Sequence, residues 1–517
     1  MLTFGTLVKR NAANWGDHPA FVSFDRSVTW RDMDRRTDAL GHALADLGVR
    51  PMDRVAMITE DCVEVAELFL ACTKTGALRV GINARLAPRE IAHILDDSQP
   101  RLLFVQAGLE KLAVDGLAQA EHTPDLVGFG GTHGCPQDME ELIARHFSSG
   151  ALQQSHHKNV MLCYTTGSTG LPKGAIYPHD QMLRSIMNIA LCEGATHDDV
   201  WLHAMPAGGV PLLHMLRNIF HGSTTAIIGS WNPEAALTMI QRNKTTMTVM
   251  VPTMISSLLE SGLIGKFDTS SMRLLGYGAA PLPPATIREA MDAFGCPFLQ
   301  MYGTTELTGM SMMLFPSDHM RGLTERPEIL SSAGKLLPYV DGRIVDEDGN
   351  DVETGATGEL IISSEFVIPG YWNADAVFNE TVREGWLHTG DMAYRDDEGY
   401  IYLGDRAKFR IKTGGYNVFP TEVENAIAEH PAVREVCVVG LPDPKWGESI
   451  HAVIVLAGDE KLDRNTVKEF CADKIATYKI PKSVDFWPDL PKGATGKILK
   501  RQVIDHYAEN PLPSETV

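Results

Sequence analysis

The stretch YTTGSTGLPKG, residues 164–174, gathers glycines, hydroxyl residues and one lysine into eleven positions. Glycines let backbone N–H groups come close to an anion. The hydroxyls of Thr165, Thr166, Ser168 and Thr169 add donors, and Lys173 adds charge. An apolar run, NVMLCY, precedes the loop, so a buried strand delivers it. Phosphate binding accounts for all of these features. A flexible surface turn is the plain alternative, but it needs neither the hydroxyls, nor the Pro-Lys pair, nor the strand. The loop is not a Walker A motif. Counting five on from Gly167 gives Pro172, and Lys173 precedes Gly174 rather than Ser or Thr.

The longer stretch YTTGSTGLPKGAIYPH resembles the signature of the adenylate-forming superfamily of acyl-CoA synthetases, luciferases and peptide-synthetase adenylation domains. The resemblance places Thr165, Thr166, Gly167, Ser168, Thr169, Gly170 and Lys173 around the β- and γ-phosphates of ATP. QMYGTTELTG (residues 300–309) resembles the family's Y-G-x-T-E element. It implies a nucleotide site at Met301, Tyr302, Gly303 and Thr304, with the Tyr302 ring available for adenine stacking. Thr305 would bond an α-phosphate oxygen, and Glu306 would be the hard oxygen ligand for Mg²⁺. GYGAAP (residues 276–281) resembles the segment that meets adenine through backbone, here Gly278, Ala279 and Ala280. On its own it reads equally as a tight turn. The run from GWLHTGDM to KTGGYNVFPTEVE is the longest match. Asp391 corresponds to the aspartate that accepts from both ribose hydroxyls, and Arg406 to the arginine near ribose and phosphates. LPKGATGKILK resembles the closing motif, with Lys497 as its catalytic lysine. The resemblance covers nearly the whole chain.

What it implies is a two-step ligation using ATP, Mg²⁺ and coenzyme A. A carboxylate attacks the α-phosphorus, giving acyl-AMP and pyrophosphate. A thiol then displaces AMP. Two anions must meet, so charge neutralisation and positioning carry the chemistry, and no enzyme nucleophile is needed. By the same resemblance Lys408 is a hinge for rotation of the C-terminal domain between the steps. Lys412, Gly414, Gly415 and Tyr416 would then line the thiol channel. Trp446 reads evenly as a CoA contact or a packed surface tryptophan. The acid pocket is expected from Met205, Gly208, Gly209, Tyr277, Gly303 and Met310, a roomy apolar set suited to an aryl or medium-chain acid. Two departures stand out. Gly209 falls near a position where many relatives carry histidine, with His203 or His214 as substitutes or as structural residues. Phe409 and Arg410 replace a pair that is often polar or acidic, and Arg410 reads either as a partner for a CoA phosphate or as a solvated charge. A stand-alone acid–CoA ligase is the leading reading. An acyl-AMP ligase loading a carrier protein and a non-catalytic nucleotide-binding relative are the alternatives.

Elements must hold these residues in place. Helical and strand patterns alternate through TWRDMDRRTDALGHALADLGV, DRVAMIT, EVAELFLACTKTGA, ALRVGIN, APREIAHILDDSQ and RLLFVQ. This predicts an α/β fold of mostly parallel sheets flanked by helices. NVMLCY, TTAIIGS, MTVMVPT and RLLGYGAAP read as further buried strands, each followed by turn residues and a helix. From about residue 331, D-G, G-N and T-G punctuation predicts hairpins and a small barrel-like part. The last hundred or so residues read as a small, mobile α+β domain, with Thr421 and Glu424 as a capping box after Pro420. The expected division is 1–404 for adenylation, 405–409 for the hinge and 410–517 for the C-terminal domain.

Composition bounds the rest. The 517 residues carry a formal charge of −20, which argues against nucleic-acid binding and docking on anionic membranes. Eight cysteines without C-x-x-C or zinc spacing suit buried thiols in a reducing cytosol. The N-terminus lacks a secretory apolar core and no run is long enough to span a membrane, so a cytoplasmic protein is expected. A homodimer is the default assembly.

Overall fold

The computed structural model describes residues 2–155, 157–165, 172–280, 282–406, 409, 411–413, 416–418, 420–443, 446–458, 462–472, 474–493 and 498–512. Its first sheet has seven strands. Gln137–Asp138, Asp125–Phe129, Leu102–Gln106, Arg54–Thr59, Leu78–Asn83 and Asn159–Thr165 run parallel in that spatial order. Lys173–Pro178 closes the edge antiparallel. The second sheet has nine strands with a parallel centre: Phe298–Thr304, Leu274–Gly278, Met247–Met250, Val200–His203, Thr224–Ile227 and Pro19–Val22. Antiparallel strands flank that centre on both sides.

Local chemistry explains the helices between them. Thr29 caps Trp30–Asp46 by accepting from the Asp32 N–H, and Gly48, at φ 80°, ends that turn of chain. Successive strand residues face opposite ways, so each strand serves two cores. Val55, Met57, Met161 and Cys163 of the seven-stranded sheet pack with Ala207, Leu212, Leu213 and Ile227 between the two sheets. Ala56, Ile58, Val80 and Ile82 face the other way, onto Ile91, Ile94 and Leu95 of the helix Pro88–Ser98.

The hairpin-rich region forms a third, antiparallel sheet in which Val340–Val345, Gly358–Ser364, Trp386–Arg395 and Ile401–Arg406 pair in turn. It is a half-barrel: among the described residues no pairing closes it. A small C-terminal domain has its own sheet, built from Ile411–Thr413, Tyr416–Val418, Val433–Asp443, Gly447–Leu456 and Ser483–Phe486, and its own apolar clusters. The strand Ile401–Arg406 carries the chain across the boundary expected at residue 404.

Two local expectations are corrected. NVMLCY is followed by an antiparallel strand, not directly by a helix, because GAIYP pairs back along it before the helix His179–Cys192 begins. The capping-box assignment also shifts. The helix Pro420–Ala428 already contains Thr421, and the Glu424 carboxylate accepts from the Val438 N–H and pairs with Lys500.

Candidate active site

Parallel strands present their C-terminal ends as a natural ligand crevice. Thr165, His203, Gly278 and Thr304 each end such a strand. In the first sheet Thr165 stands opposite Lys173 in antiparallel register. The glycine- and hydroxyl-rich loop is therefore the loop of a hairpin. Its tip, with Thr166, Gly167, Ser168, Thr169 and Gly170, lies outside the described residues. Its base is braced from two sides. The Tyr164 hydroxyl donates to Asp97 at 2.6 Å. The Ile176 N–H donates to the Gly370 carbonyl at 3.1 Å, and the Trp372 N–H to the Gly174 carbonyl at 2.7 Å. This brings Tyr371 alongside, with the Lys173 ammonium 6.0 Å from its ring centroid.

The second sheet supplies the facing half. Met301 is buried, while Tyr302, Gly303, Thr304, Thr305 and Glu306 are half-buried on the strand Phe298–Thr304 and the short 3₁₀ turn after it. The Tyr371 hydroxyl donates to Glu306 at 2.6 Å. The Tyr177 hydroxyl donates to the Thr305 carbonyl at 2.9 Å. Thus Lys173, Thr305 and Glu306 are held together by two tyrosines that sequence reasoning missed. Thr304 Oγ1 is buried without a hydrogen-bond partner among the described residues. Gly278 fits only as glycine, since a Cβ there would lie 2.5 Å from the Met301 carbonyl. Ala279 follows at φ 68°, a strained value for a residue with a Cβ, and Ala280 is half-buried.

The half-barrel reaches the same place. Asp391 accepts from the Tyr302 hydroxyl at 2.5 Å, and its backbone stands in register with Arg406. Beyond Arg406, Lys408 and Arg410 lie outside the described residues, as do Gly414, Gly415 and Lys497. Lys412 and Tyr416 sit on the paired strands Ile411–Thr413 and Tyr416–Val418. The Trp446 ring is exposed, with the Lys482 ammonium 5.5 Å from its centroid.

Of the residues expected at the acid, Met205 is buried and Gly208, Gly209 and Met310 are half-buried. Gly303 stands in register with Met310, and a Cβ on Gly303 would lie 2.1 Å from the Gly309 carbonyl. Tyr277, expected at the pocket, is fully buried, and its hydroxyl bonds His319 at 3.0 Å. His214 is buried against Arg217, which pairs with Glu193; burial and that cation push its pKa well down, so it stays neutral. His203 Nε2 stands 3.4 Å from Asp61, whose other oxygen accepts from the Ala207 N–H at 2.7 Å. Among the described residues the one acidic trio close enough to share a metal is Glu64, Glu67 and Glu140. Arg26 and Arg36 already neutralise it, and it belongs to another part of the molecule.

Two large, mostly parallel sheets, an antiparallel half-barrel and a small C-terminal domain together make the fold of adenylate-forming enzymes. The chain belongs to the AMP-binding enzyme family: residues 8–372 match that family, and residues 422–497 match the AMP-binding enzyme C-terminal domain. A fatty acid–[acyl-carrier-protein] ligase of Streptomyces coeruleorubidus is 30% identical, over 95% of this chain and 93% of the relative. An indoleacetate–CoA ligase of Aromatoleum aromaticum is 31% identical, over 95% and 96%. The crystal structure of an anthranilate CoA ligase in complex with anthranoyl-AMP superposes with a TM-score of 0.89 at 27% identity, covering 98% of this chain and 97% of that one. The chain is an AMP-forming acid–thiol ligase by class. Among the described residues no helix is long and apolar enough to cross a membrane.

Proposed function

We propose that this chain is an ATP-dependent carboxylic acid–CoA ligase for an aryl or medium-chain acid. The observation that carries the reading is the convergence of Lys173, Thr305 and Glu306 through Tyr371 and Tyr177, beside the Tyr302–Asp391 pair. Asp391 would take the ribose hydroxyls and Tyr302 the adenine face, with Gly278, Ala279 and Ala280 along its edge. The hairpin loop and Lys173 would hold the β- and γ-phosphates. A carboxylate oxygen of the acid then forms its bond to the α-phosphorus as pyrophosphate leaves. Thr305 and Lys497 stabilise the charge that develops there.

Glu306 fits Mg²⁺ by the chemistry of its donor: a hard carboxylate whose one oxygen is oriented by Tyr371. A single protein carboxylate suits a cation that arrives with ATP and keeps phosphate and water ligands. When bound, the ion would offset phosphate charge. In the second step the CoA thiol gives its proton to solvent, its sulfur attacks the acyl carbonyl and AMP leaves. Lys412, Gly414, Gly415 and Tyr416 would line that approach, and Trp446 would meet CoA. Residues 405–409, with Lys408 at the pivot, would let the C-terminal domain 410–517 turn against 1–404. The small and flexible side chains proposed to line the acid pocket, Met205, Gly208, Gly209, Gly303 and Met310, and a relative named an indoleacetate–CoA ligase support an aryl acid. The proposed place of action is the cytoplasm.

A second reading is favoured by the Streptomyces relative: the thiol belongs to a carrier protein. ATP–pyrophosphate exchange with a panel of benzoate, ferulate, indole-3-acetate, hexanoate and octanoate tests the first step. CoA consumption with the best acid tests the second. Exchange with CoA consumption is expected. Exchange without CoA consumption moves the acceptor to a carrier protein, and no exchange with any acid overturns the ligase reading.

A further inference from the structure

Arg79 lies in the middle of the seven-stranded sheet, on the strand Leu78–Asn83, between Val55 and Met161 of its neighbours. Its side chain is 0% exposed and faces the core between the two sheets, near Cys72, Cys163 and Asp61. Among the described residues Nε and Nη2 have no hydrogen-bond partner, and Nη1 has only the Met161 sulfur at 3.8 Å. Asp61, the carboxylate that acts on it, is already committed to the Ala207 N–H and stands beside His203. Burial lowers the guanidinium to about 10, which leaves it charged at neutral pH. A buried cation with so few partners costs stability, and an apolar residue of similar volume is often better tolerated. Packing therefore gives no reason for an arginine here.

Its position does. The guanidinium reaches along its own strand to Gly81. A Cβ there would lie 2.6 Å from Nη1 and 2.1 Å from the Gly208 carbonyl. Gly209 lies next, with the Cys163 sulfur 3.4 Å from where its Cβ would be. Cys163 neighbours Tyr177, which holds the Thr305 carbonyl. The cation thus sits behind the glycine pair expected against the acid, and glycines put no side chain in front of it. Charge in a dry interior is weakly screened.

We propose, resting on the ligase reading above, that Arg79 is a specificity-determining residue for the acid. Its buried positive charge, acting past Gly208 and Gly209, favours a carboxylate over a neutral molecule of the same shape. The test compares Arg79→Met, Arg79→Gln and Arg79→Lys with the wild type, using the panel acid of lowest KM and that acid's primary amide. Arg79→Met is expected to raise the acid KM in pyrophosphate exchange by roughly tenfold, while the ATP KM stays within about twofold. Amide binding should not change, and the melting temperature should hold or rise. Arg79→Gln should match Arg79→Met, and Arg79→Lys should recover most of the acid affinity. The inference is overturned if acid and amide affinities fall together, if Gln restores acid binding as well as Lys does, or if the acid KM does not move. If Arg79→Met does not fold, the Gln and Lys pair decides by the same criteria. A wild type that exchanges with no panel acid brings down the ligase reading itself. A wild type that exchanges while the neutral variants match it brings down this inference alone.

Discussion

Asp391 and Glu306 are each gripped by a tyrosine hydroxyl, at 2.5 and 2.6 Å. Both contacts join residues far apart in the chain, 89 and 65 positions. Motifs in the sequence therefore revealed both carboxylates and Tyr302, but not the contacts between them, nor Tyr371 and Tyr177. Tyr371 sits in an ordinary-looking PGYW, and Tyr177 in a strand where any aromatic would pack. The aiming should be measurable. Tyr371→Phe leaves Glu306 without its orienting donor and should lower kcat for pyrophosphate exchange about fivefold, the worth of roughly 1 kcal/mol, with the ATP KM little changed. A shift in the ATP KM alone would place Tyr371 in nucleotide binding instead. Asp391→Ala removes the acceptor proposed for two ribose hydroxyls and should raise the ATP KM about 10- to 100-fold while the acid KM stays put. Equal losses for ATP and acid would deny Asp391 that role.

Elements were largely legible because their signals are local. Apolar periodicity marked Trp30–Asp46, Val63–Thr75 and Pro88–Ser98 as helices and Arg54–Thr59, Leu78–Asn83 and Leu102–Gln106 as strands. Strand pairing is not local, so the hairpin at Lys173–Pro178 and the open edge of the half-barrel could not be read in the same way. Tyr277, expected at the acid pocket, is fully buried on the strand Leu274–Gly278. Its ring meets that of His319, from the helix Pro316–Thr324, edge-on, so it knits sheet to helix. Burial holds His319 down at about 4, neutral, with its other nitrogen facing the Phe315 carbonyl. The unfolded chain takes up a proton near pH 6.5 that the folded chain refuses until about pH 4. Stability from this group is therefore complete above pH 6.5 and falls as the pH drops through that window. Between pH 7.5 and pH 5 the wild type should lose about 2 kcal/mol more than His319→Gln, measured by urea unfolding. Parallel losses in the two proteins would remove the titration from His319.

At the scale of the whole molecule, one site must serve two reactions, and the chain offers a short connection on which to switch. The half-barrel ends at Arg406, and the first strand of the C-terminal sheet begins at Ile411. Only four residues separate a sheet that carries the ribose-binding candidate from a domain whose far end carries Lys497. Their order and types were readable from sequence. How two independently packed bodies face each other was not, because such arrangements rest on few contacts and no periodic pattern encodes them. If the proposed rotation occurs at Lys408, a proline there should separate the half-reactions, because the ring fixes φ near −65° and resists the backbone swing. Lys408→Pro should leave pyrophosphate exchange within about twofold when the locked state is the adenylating one. Acyl-CoA formation should then fall at least about tenfold, with acyl-AMP accumulating on the enzyme. If the locked state is the other one, preformed acyl-AMP should still react with CoA while exchange collapses. Either split supports a pivot at Lys408, and equal loss or equal retention of both reactions places the pivot elsewhere.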